Sequence, residues 1–271
     1  MDRVAIISDS STCLPPYLAR DFNITILPIN ERLEGELGDD SESADEGLLS
    51  QYVEQELSGA NHPFVTEYLS AVESSDSDSA VIITPAYEFA AMHRNAAVAA
   101  SLSQKKAYVI DSRTAAAGQA LVVLQGAKAV QEERGLNGVL EAVKVASQNV
   151  ILVAALGNME HIARSSVLTE DDISLMTQGH RSIFSMKDGE IQSLGEVESA
   201  KEALVAIADV FHETTGKGVS QLAVFHAGAR SMAEQLSNMC GGSDFISGFS
   251  IAMQVHTGSG VVGAAWLPKD I

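Results

Sequence analysis

Polar side chains that could bind a ligand or move a proton follow three apolar runs in this sequence. Each run ends in carboxylates or hydroxyls: Asp9, Ser10, Ser11, Thr84, Asp111 and Ser112. In an open α/β sheet, ligands bind outside the carboxyl ends of the strands. Hydroxyl groups donate and accept hydrogen bonds, and carboxylates accept them. We therefore predict that these residues border a ligand site.

A Ser–His–carboxylate triad is one chemistry that the residue types allow. Ser10 would be the nucleophile, His256 the base, and Asp9 or Asp111 the group that orients the base. The sequence gives no geometry for such a triad and contains no G-x-S-x-G nucleophile elbow. A hydrolase or phosphotransferase acting on a small acyl substrate therefore stays open as an alternative function.

Residues 258–263 read Gly-Ser-Gly-Val-Val-Gly and match the G-x-G-x-x-G pattern of dinucleotide-binding proteins. That fingerprint needs a strand before it and a helix after it. Here only eight residues follow, and they are typical of a strand. We instead predict a tight turn whose glycines adopt positive φ. Exposed N–H groups in that turn could form a small anion nest beside His256.

Other motifs for cofactors or metals are missing from the sequence. Gly216-Lys217 lacks both the upstream glycine and the following Ser or Thr of a phosphate-binding loop. The seven histidines and two cysteines, Cys13 and Cys240, do not follow the spacing of metal ligands. We therefore predict no metal ion and no cofactor.

The elements that must position these residues alternate in the first half of the chain. Strands are predicted over residues 4–7, 24–29, 80–84 and 107–110, with helices after Pro63 and over 86–102, 114–133 and 136–147. This alternation favours a mostly parallel sheet covered by helices.

The second half of the chain has a different pattern. An Asp188-Gly189 turn inside residues 181–197 predicts a hairpin. Further strands are predicted over residues 149–156, 221–225, 245–251 and 261–266, and helices over 200–215 and 229–239. Overall, the sequence predicts an N-terminal α/β domain (residues 1–148) and a C-terminal α+β domain (residues 149–271).

The charge of the chain disfavours nucleic acid and anionic membrane surfaces as partners. Asp and Glu number 36 against 17 Lys and Arg, for a net charge of −19, so a polyanion is repelled on average. Residues 34–46 hold seven of these carboxylates and are predicted to form a solvated acidic loop. The sequence has no signal-peptide pattern and no run of 18 apolar residues, so we expect a cytoplasmic protein without stable membrane insertion.

Four blocks of sequence resemble motifs of the DegV family. Residues 7–15 resemble its "TDS…DLP" opening, and residues 109–114 its "VIDS" strand end. Residues 181–191 resemble its "KPIL…KDGKI" hairpin, and residues 256–263 its "HTGPGTVG" segment. The blocks occur in the family order and at the family distances.

This resemblance implies a two-domain DegV-like fold with a ligand buried between the domains. It also implies a function, the binding of one long-chain fatty acid as the binding subunit of a two-component fatty acid kinase. Such a subunit holds the acyl chain in a tunnel and presents the carboxylate to a separate ATP-binding kinase subunit. The chain would then be a lipid-binding protein and not itself an enzyme.

The head-group motifs of the family are altered in this chain. Residues 60–63 read Ala-Asn-His-Pro where the family has "TSQP", and residues 84–96 replace "SSKLSGTYQSA" without its central hydroxyls. The "RRGGRIS" segment keeps one arginine. The resemblance therefore predicts a substituted lipid-binding set, namely Ser10, Ser11, Asn61, His62, Thr84, His93, Arg164, His256 and Thr257.

Three interpretations of these changes stay open. The substituted residues could hold a fatty carboxylate, since Asn61 and His62 can both donate hydrogen bonds. The lipid could instead have a neutral or bulkier head group, because an ionised Glu88 would repel a carboxylate. In the third, binding is lost and the chain is a ligand-free regulatory interaction module.

Overall fold

The structure is a computed structural model that describes residues 3–29, 63–87, 91–156, 181–216, 218–250, 253–254 and 257–269. Two β-sheets and the helices packed on them make up this part of the chain. The predicted acidic loop and four predicted site residues lie outside the described residues: Asn61, His62, Arg164 and His256.

The first half of the chain forms a four-stranded parallel sheet. Its described strands lie in the order β2 (Ile24–Leu27), β1 (Val4–Asp9), β3 (Ser79–Thr84) and β4 (Lys106–Asp111). The central strands β1 and β3 are buried along almost their whole length, as a parallel sheet covered on both faces requires. The described helices of this half include α1 (Pro16–Asp21), α2 (Val65–Ser74) and α3 (Met92–Leu102), and α2 and α3 cover the outer face of the sheet.

The second half of the chain forms a six-stranded mixed sheet. Its described strands lie in the order β7 (Glu190–Val197), β6 (Arg181–Lys187), β5 (Ile151–Leu156), β10 (Val262–Pro268), β8 (Val219–His226) and β9 (Phe245–Gly248). Only the pair β8–β9 is parallel among these strands. Helices α6 (Ala200–Thr214) and α7 (Arg230–Met239) pack on the outer face of this sheet, around the fully buried Trp266.

The predicted hairpin is confirmed by the β6–β7 pair. Asp188 and Gly189 both have positive φ, 52° and 83°, as the tight turn of a two-residue hairpin requires. The tip of the hairpin contacts the loop after β4, where the Gly189 N–H donates to the Arg113 carbonyl (3.0 Å) and the Arg113 guanidinium pairs with Asp188. The two halves of the chain therefore touch at this loop.

Helices α4 (Ala116–Gln131) and α5 (Gly135–Asn149) lie between the two sheets. Residues 116–124 of α4 are all buried, because α4 contacts β1 and β3 on one side and β5, β8 and β10 on the other. A helix that is apolar on all sides is typical of this central position. Gly126 lets α5 approach closely, since a Cβ there would lie only 2.7 Å from Val143 Cγ2.

The predicted fold class is confirmed, with a parallel α/β half followed by a mixed sheet with helices. One apolar cluster around α4 includes residues from both sheets, and the division after residue 148 stays a prediction. The predicted helix over residues 86–102 is wrong at its start, because α3 begins at Met92. The Ala86 N–H instead donates to the Thr114 carbonyl (2.8 Å), which holds this segment against the loop after β4.

Candidate functional site

The polar ends of three neighbouring strands lie side by side at one edge of the parallel sheet. Thr84 of β3 pairs with Asp111 of β4. The pairing of Ile7 with Ile82 brings Asp9, at the end of β1, next to Thr84. The short 3₁₀ turn Ser10–Thr12 after β1 also contacts α4. The structure thus brings the predicted strand-end residues to one edge, beside the central helix.

Asp9 is completely buried at this edge and accepts hydrogen bonds from the loop and from α4. Ser11 donates to Asp9 through its N–H (3.1 Å) and through its hydroxyl. The Gln119 amide nitrogen lies 3.5 Å from Asp9 Oδ2 and 3.1 Å from Ser8 Oγ. We call Ser8, Asp9, Ser11 and Gln119 the Asp9 network. It joins β1 to α4 and supplies the hydrogen bonds that a buried carboxylate requires.

Tyr68 of α2 is buried near Asp9. Burial raises the pKa of the Tyr68 phenol, and the negative charges of Asp9 and Glu67 raise this pKa further. A hydrogen bond between the Tyr68 hydroxyl and the Asp9 carboxylate, outside ideal geometry, also raises this pKa. Tyr68 is therefore a neutral phenol at physiological pH.

Two predicted site residues, Thr84 and His93, are in direct contact. Thr84 Oγ1 lies 3.1 Å from Nδ1 of His93, which is in the first turn of α3. The Thr84 side chain is fully buried and His93 is half-buried. The ring of Tyr87 meets the His93 ring edge-on, with centroids 5.9 Å apart. Because Thr84 engages Nδ1, the Nε2 atom is the one that could donate to a ligand.

Ser10 and Thr257 hold backbone segments at the borders of the site. Ser10 Oγ accepts from the Ile29 N–H (2.9 Å), which fixes the chain after β2. Thr257 Oγ1 donates to the Met253 carbonyl (3.0 Å). The ligand contacts of Ser10, Ser11 and Thr257 stay predictions. The triad interpretation depends on His256, which lies outside the described residues.

The glycine turn before β10 is confirmed as a turn, whereas its interpretation as an anion nest is wrong for two of its amides. Gly258 and Gly260 have φ of 75° and 78°. Their N–H groups donate to the Gln254 carbonyl (2.8 Å) and the Ala227 carbonyl (2.7 Å). Because both donors are used within the fold, neither is available to an anion. The strand β10 follows directly, so this turn also lacks the helix of a dinucleotide site.

Two further polar residues lie at this edge, Thr114 and Gln119, and neither was among the predicted site residues. Gln119 is fully buried and is the only polar side chain in residues 115–124. A lone amide in an apolar helix could have indicated a buried partner. Thr114 lies in the loop before α4, and its hydroxyl is buried without a hydrogen-bond partner among the described residues. No signal in the sequence marks that property.

An apolar layer lies directly behind the polar edge. Ala86 and Ala116 from the edge belong to the same apolar cluster as Phe225 and Phe249 of the second half. The two phenylalanine rings stack with centroids 5.5 Å apart and planes 7° from parallel. Gly263 leaves room for the Phe225 ring, because a Cβ at residue 263 would collide with it.

Two kinds of feature are missing from the described part of the chain. Its His, Cys, Asp and Glu side chains form no group of three that could hold a metal ion. None of its helices combines the length and the apolar character needed to cross a membrane.

Comparison with known proteins decides the family. The sequence profile described as "Uncharacterised protein, DegV family" matches residues 3–269 of this chain. The chain belongs to the DegV family. A DegV domain-containing protein of Streptococcus pneumoniae is 24% identical over 243 residues, which are 87% of this chain and 86% of that protein. The resemblance seen in the four sequence blocks is therefore confirmed.

Solved DegV structures share the fold of this chain. DegV from Bacillus subtilis, described as a fatty acid binding protein, matches with a TM-score of 0.78 at 18% identity, over 99% of this chain and 100% of that one. A stearic acid-binding protein from Eubacterium ventriosum matches with a TM-score of 0.79 at 17% identity, over 99% of both chains. At such identities the likeness establishes the DegV fold of this chain.

Proposed function

We propose that this DegV protein binds a long-chain fatty acid or a related lipid between its two sheets. The observation that carries the proposal is the polar edge, with Thr84 and His93 in contact, beside the apolar layer that both sheets share with α4. A lipid needs both parts, donors for its head group and an apolar layer for its chain. The names of the solved relatives, a fatty acid binding protein and a stearic acid-binding protein, support the same ligand class.

Burial of the acyl chain supplies most of the binding free energy. Each methylene removed from water contributes about 0.8 kcal/mol before the costs of association. A carboxylate that enters the protein loses its hydration and requires donors in return. Affinity therefore comes from the apolar layer, and selection of the head group comes from the polar edge.

The proposed head-group contacts come from both halves of the chain. Residues 1–148 contribute hydroxyls, an amide and imidazoles, and residues 149–271 contribute the remainder. The full set is Ser10, Ser11, Asn61, His62, Thr84, His93, Arg164, His256 and Thr257. His93 lies in the segment, residues 84–96, in which the family has neutral hydroxyls. In this proposal its ring supplies an N–H donor instead.

We further propose that the bound lipid is presented to an ATP-binding fatty acid kinase subunit. Two points support this partner. The chain belongs to the DegV family, and the proposed head-group site lies at the polar edge formed by the strand ends. In this scheme the chain carries the substrate and the partner phosphorylates it. The test is formation of an acyl phosphate, trapped as its hydroxamate, when the loaded protein is mixed with ATP and a kinase subunit from the same organism.

Native mass spectrometry of the purified protein tests lipid binding directly. The expected result is one bound lipid per chain, identified as a long-chain fatty acid after denaturing extraction. If a different lipid is bound at one per chain, the proposed site stands and the proposed head group changes. A protein that is empty and does not take up added oleate would overturn the proposal and favour the ligand-free interaction module.

Replacement of His93 tests the head-group site. His93→Ala should weaken oleate binding by about ten- to a hundredfold, since a hydrogen bond to a charged group contributes roughly 1.5–3 kcal/mol. His212→Ala is the matched control, because His212 is exposed on α6 and bonds only to the Met239 carbonyl in the described part of the chain. Titration calorimetry measures both affinities. Equal affinities in the two variants would remove His93 from the site.

A further inference from the structure

The N-terminus of α4 is buried at the polar edge without a side-chain cap. Ala116 and Ala117 are buried, and Ala115 at the capping position offers no acceptor. The first N–H groups of an α-helix have no partner within the helix and carry a partial positive charge. A buried helix end of this kind needs an acceptor from elsewhere.

The Thr114 hydroxyl lies over this first turn and has no partner among the described residues. A Cβ placed on Gly118 would collide with Thr114 Oγ1, which shows how closely the hydroxyl lies against the helix. The backbone of Thr114 is held in place, because its carbonyl accepts from the Ala86 N–H (2.8 Å) and from the Ser112 hydroxyl (3.2 Å). The hydroxyl is therefore positioned by the fold but not satisfied by it.

Such a hydroxyl needs an explanation, because a buried donor without an acceptor destabilises the folded state. The neighbouring carboxylate of Asp9 already accepts from Ser11 and lies within reach of the Gln119 amide. An unpaired donor next to an uncapped helix N-terminus is suited to an anionic acceptor from outside the chain.

We propose that the Thr114 hydroxyl and a first-turn N–H group of α4 hold the anionic end of the bound lipid, a carboxylate. This inference rests on the proposed lipid-binding function and names the chemical class of its head group. The carboxylate oxygens accept from the Thr114 O–H and from the N–H group of Ala117, because Ala116 has a φ of 46° and its own N–H is turned away from the helix axis. The ligand thereby caps α4.

Backbone hydrogen bonds join the loop that carries Thr114 to the loop after Thr84. The Ser112 N–H donates to the Thr84 carbonyl (3.0 Å). Further along the same two loops, the Ala86 N–H donates to the Thr114 carbonyl. The loop before α4 therefore runs alongside the loop after β3. With a net charge of −19 on the whole chain, an anion enters against an unfavourable field. Local donors and the helix dipole must compensate for that repulsion at short range.

Replacement of the hydroxyl by a methyl group tests the inference. Thr114→Val should weaken oleate binding by about ten- to a hundredfold, as expected for a lost hydrogen bond to a charged group. It should leave the affinity for oleyl alcohol, which has no charge, unchanged within about twofold. Thr114→Ser keeps the hydroxyl and should bind oleate within about threefold of the wild-type protein.

The melting temperature of the lipid-free protein separates a binding role from a structural one. Because the hydroxyl has no partner in the described structure, Thr114→Val should melt at the same temperature as the wild type or higher. Gly118→Ala pushes the hydroxyl off the first turn and should also weaken oleate binding. Gly126→Ala is its control on the same helix, since the added Cβ meets Val143 away from the site.

The outcomes distinguish this inference from the function on which it rests. Selective loss of oleate binding in Thr114→Val, without loss of melting temperature, supports the inference. Equal losses for oleate and oleyl alcohol, or oleate affinity as in the wild type, overturn it and leave lipid binding intact. A wild-type protein that binds neither ligand overturns both.

Discussion

The Asp9 network and the Thr114 hydroxyl lie at the same edge of the parallel sheet, but only the groups of the Asp9 network have hydrogen-bond partners among the described residues. In the Asp9 network a buried carboxylate meets donors from its own loop and from α4. The Thr114 hydroxyl is equally buried and meets no acceptor among the described residues. A buried network with all its hydrogen bonds made stabilises a fold. A buried polar group without a partner lowers the free energy of unfolding. The contrast singles out the Thr114 hydroxyl as the group at this edge that is held in place without an acceptor.

The largest effect is expected when the carboxylate at the centre of the Asp9 network is removed. Asp9→Leu leaves the buried N–H of Ser11 without its acceptor and should lower the free energy of unfolding by about 3 kcal/mol or more. Asp111→Leu is the matched control at the end of β4, where the carboxylate accepts only from the Arg113 N–H among the described groups. That change should cost about 1 kcal/mol. Urea denaturation measures both, and equal losses would break the contrast.

A smaller loss is expected for the other side of the network. Gln119→Leu keeps the volume of the side chain but removes the amide shared by Ser8 and Asp9, and should cost about 1–3 kcal/mol. Gln131→Leu changes the exposed last residue of the same helix and should alter stability by about 0.5 kcal/mol or less. If Gln119→Leu were as stable as the wild type, the network would not hold α4 to β1.

The smallest effect at neutral pH is expected for Tyr68, whose hydroxyl lies near Asp9 but makes no hydrogen bond of ideal geometry in the described structure. Its pKa is raised by burial and by Asp9, so folding favours the protonated phenol. Above pH about 10 the unfolded chain loses this proton while the folded chain keeps it. Stability then falls by up to about 1.4 kcal/mol per pH unit.

Tyr68→Phe removes that dependence and should match the wild type at neutral pH. The measurement is the free energy of unfolding of both proteins between pH about 9 and about 11. Tyr108→Phe, at an exposed tyrosine on β4, is the control and should keep the wild-type slope. A wild-type slope in Tyr68→Phe would contradict the raised pKa.

The sequence predicts those parts of the fold that depend on local pattern. The apolar runs of β1 and β3, the Asp188-Gly189 turn and the apolar surface of α4 all follow from residue type and spacing. The carboxyl ends of parallel strands lie at the same edge of a sheet. The position of Asp9, Thr84 and Asp111 at one edge could therefore be predicted as well. Membership in the DegV family was visible in four short blocks.

Contacts between distant segments account for what could not be predicted. The start of α3 depends on a hydrogen bond from Ala86 to Thr114, and the amides of the glycine turn are used by Gln254 and Ala227. Neither pairing follows from local sequence, because each joins loops that only the folded chain brings together. The same holds for Thr114, since the lack of a partner is a property of its surroundings and not of its sequence.

The central position of α4 has a consequence for how the molecule is assembled. Because this helix supplies apolar surface to both sheets, neither half of the chain completes its own core when the other half is missing. The two halves are therefore expected to unfold in one cooperative calorimetric transition, and a chain cut in two next to α4 should yield insoluble pieces.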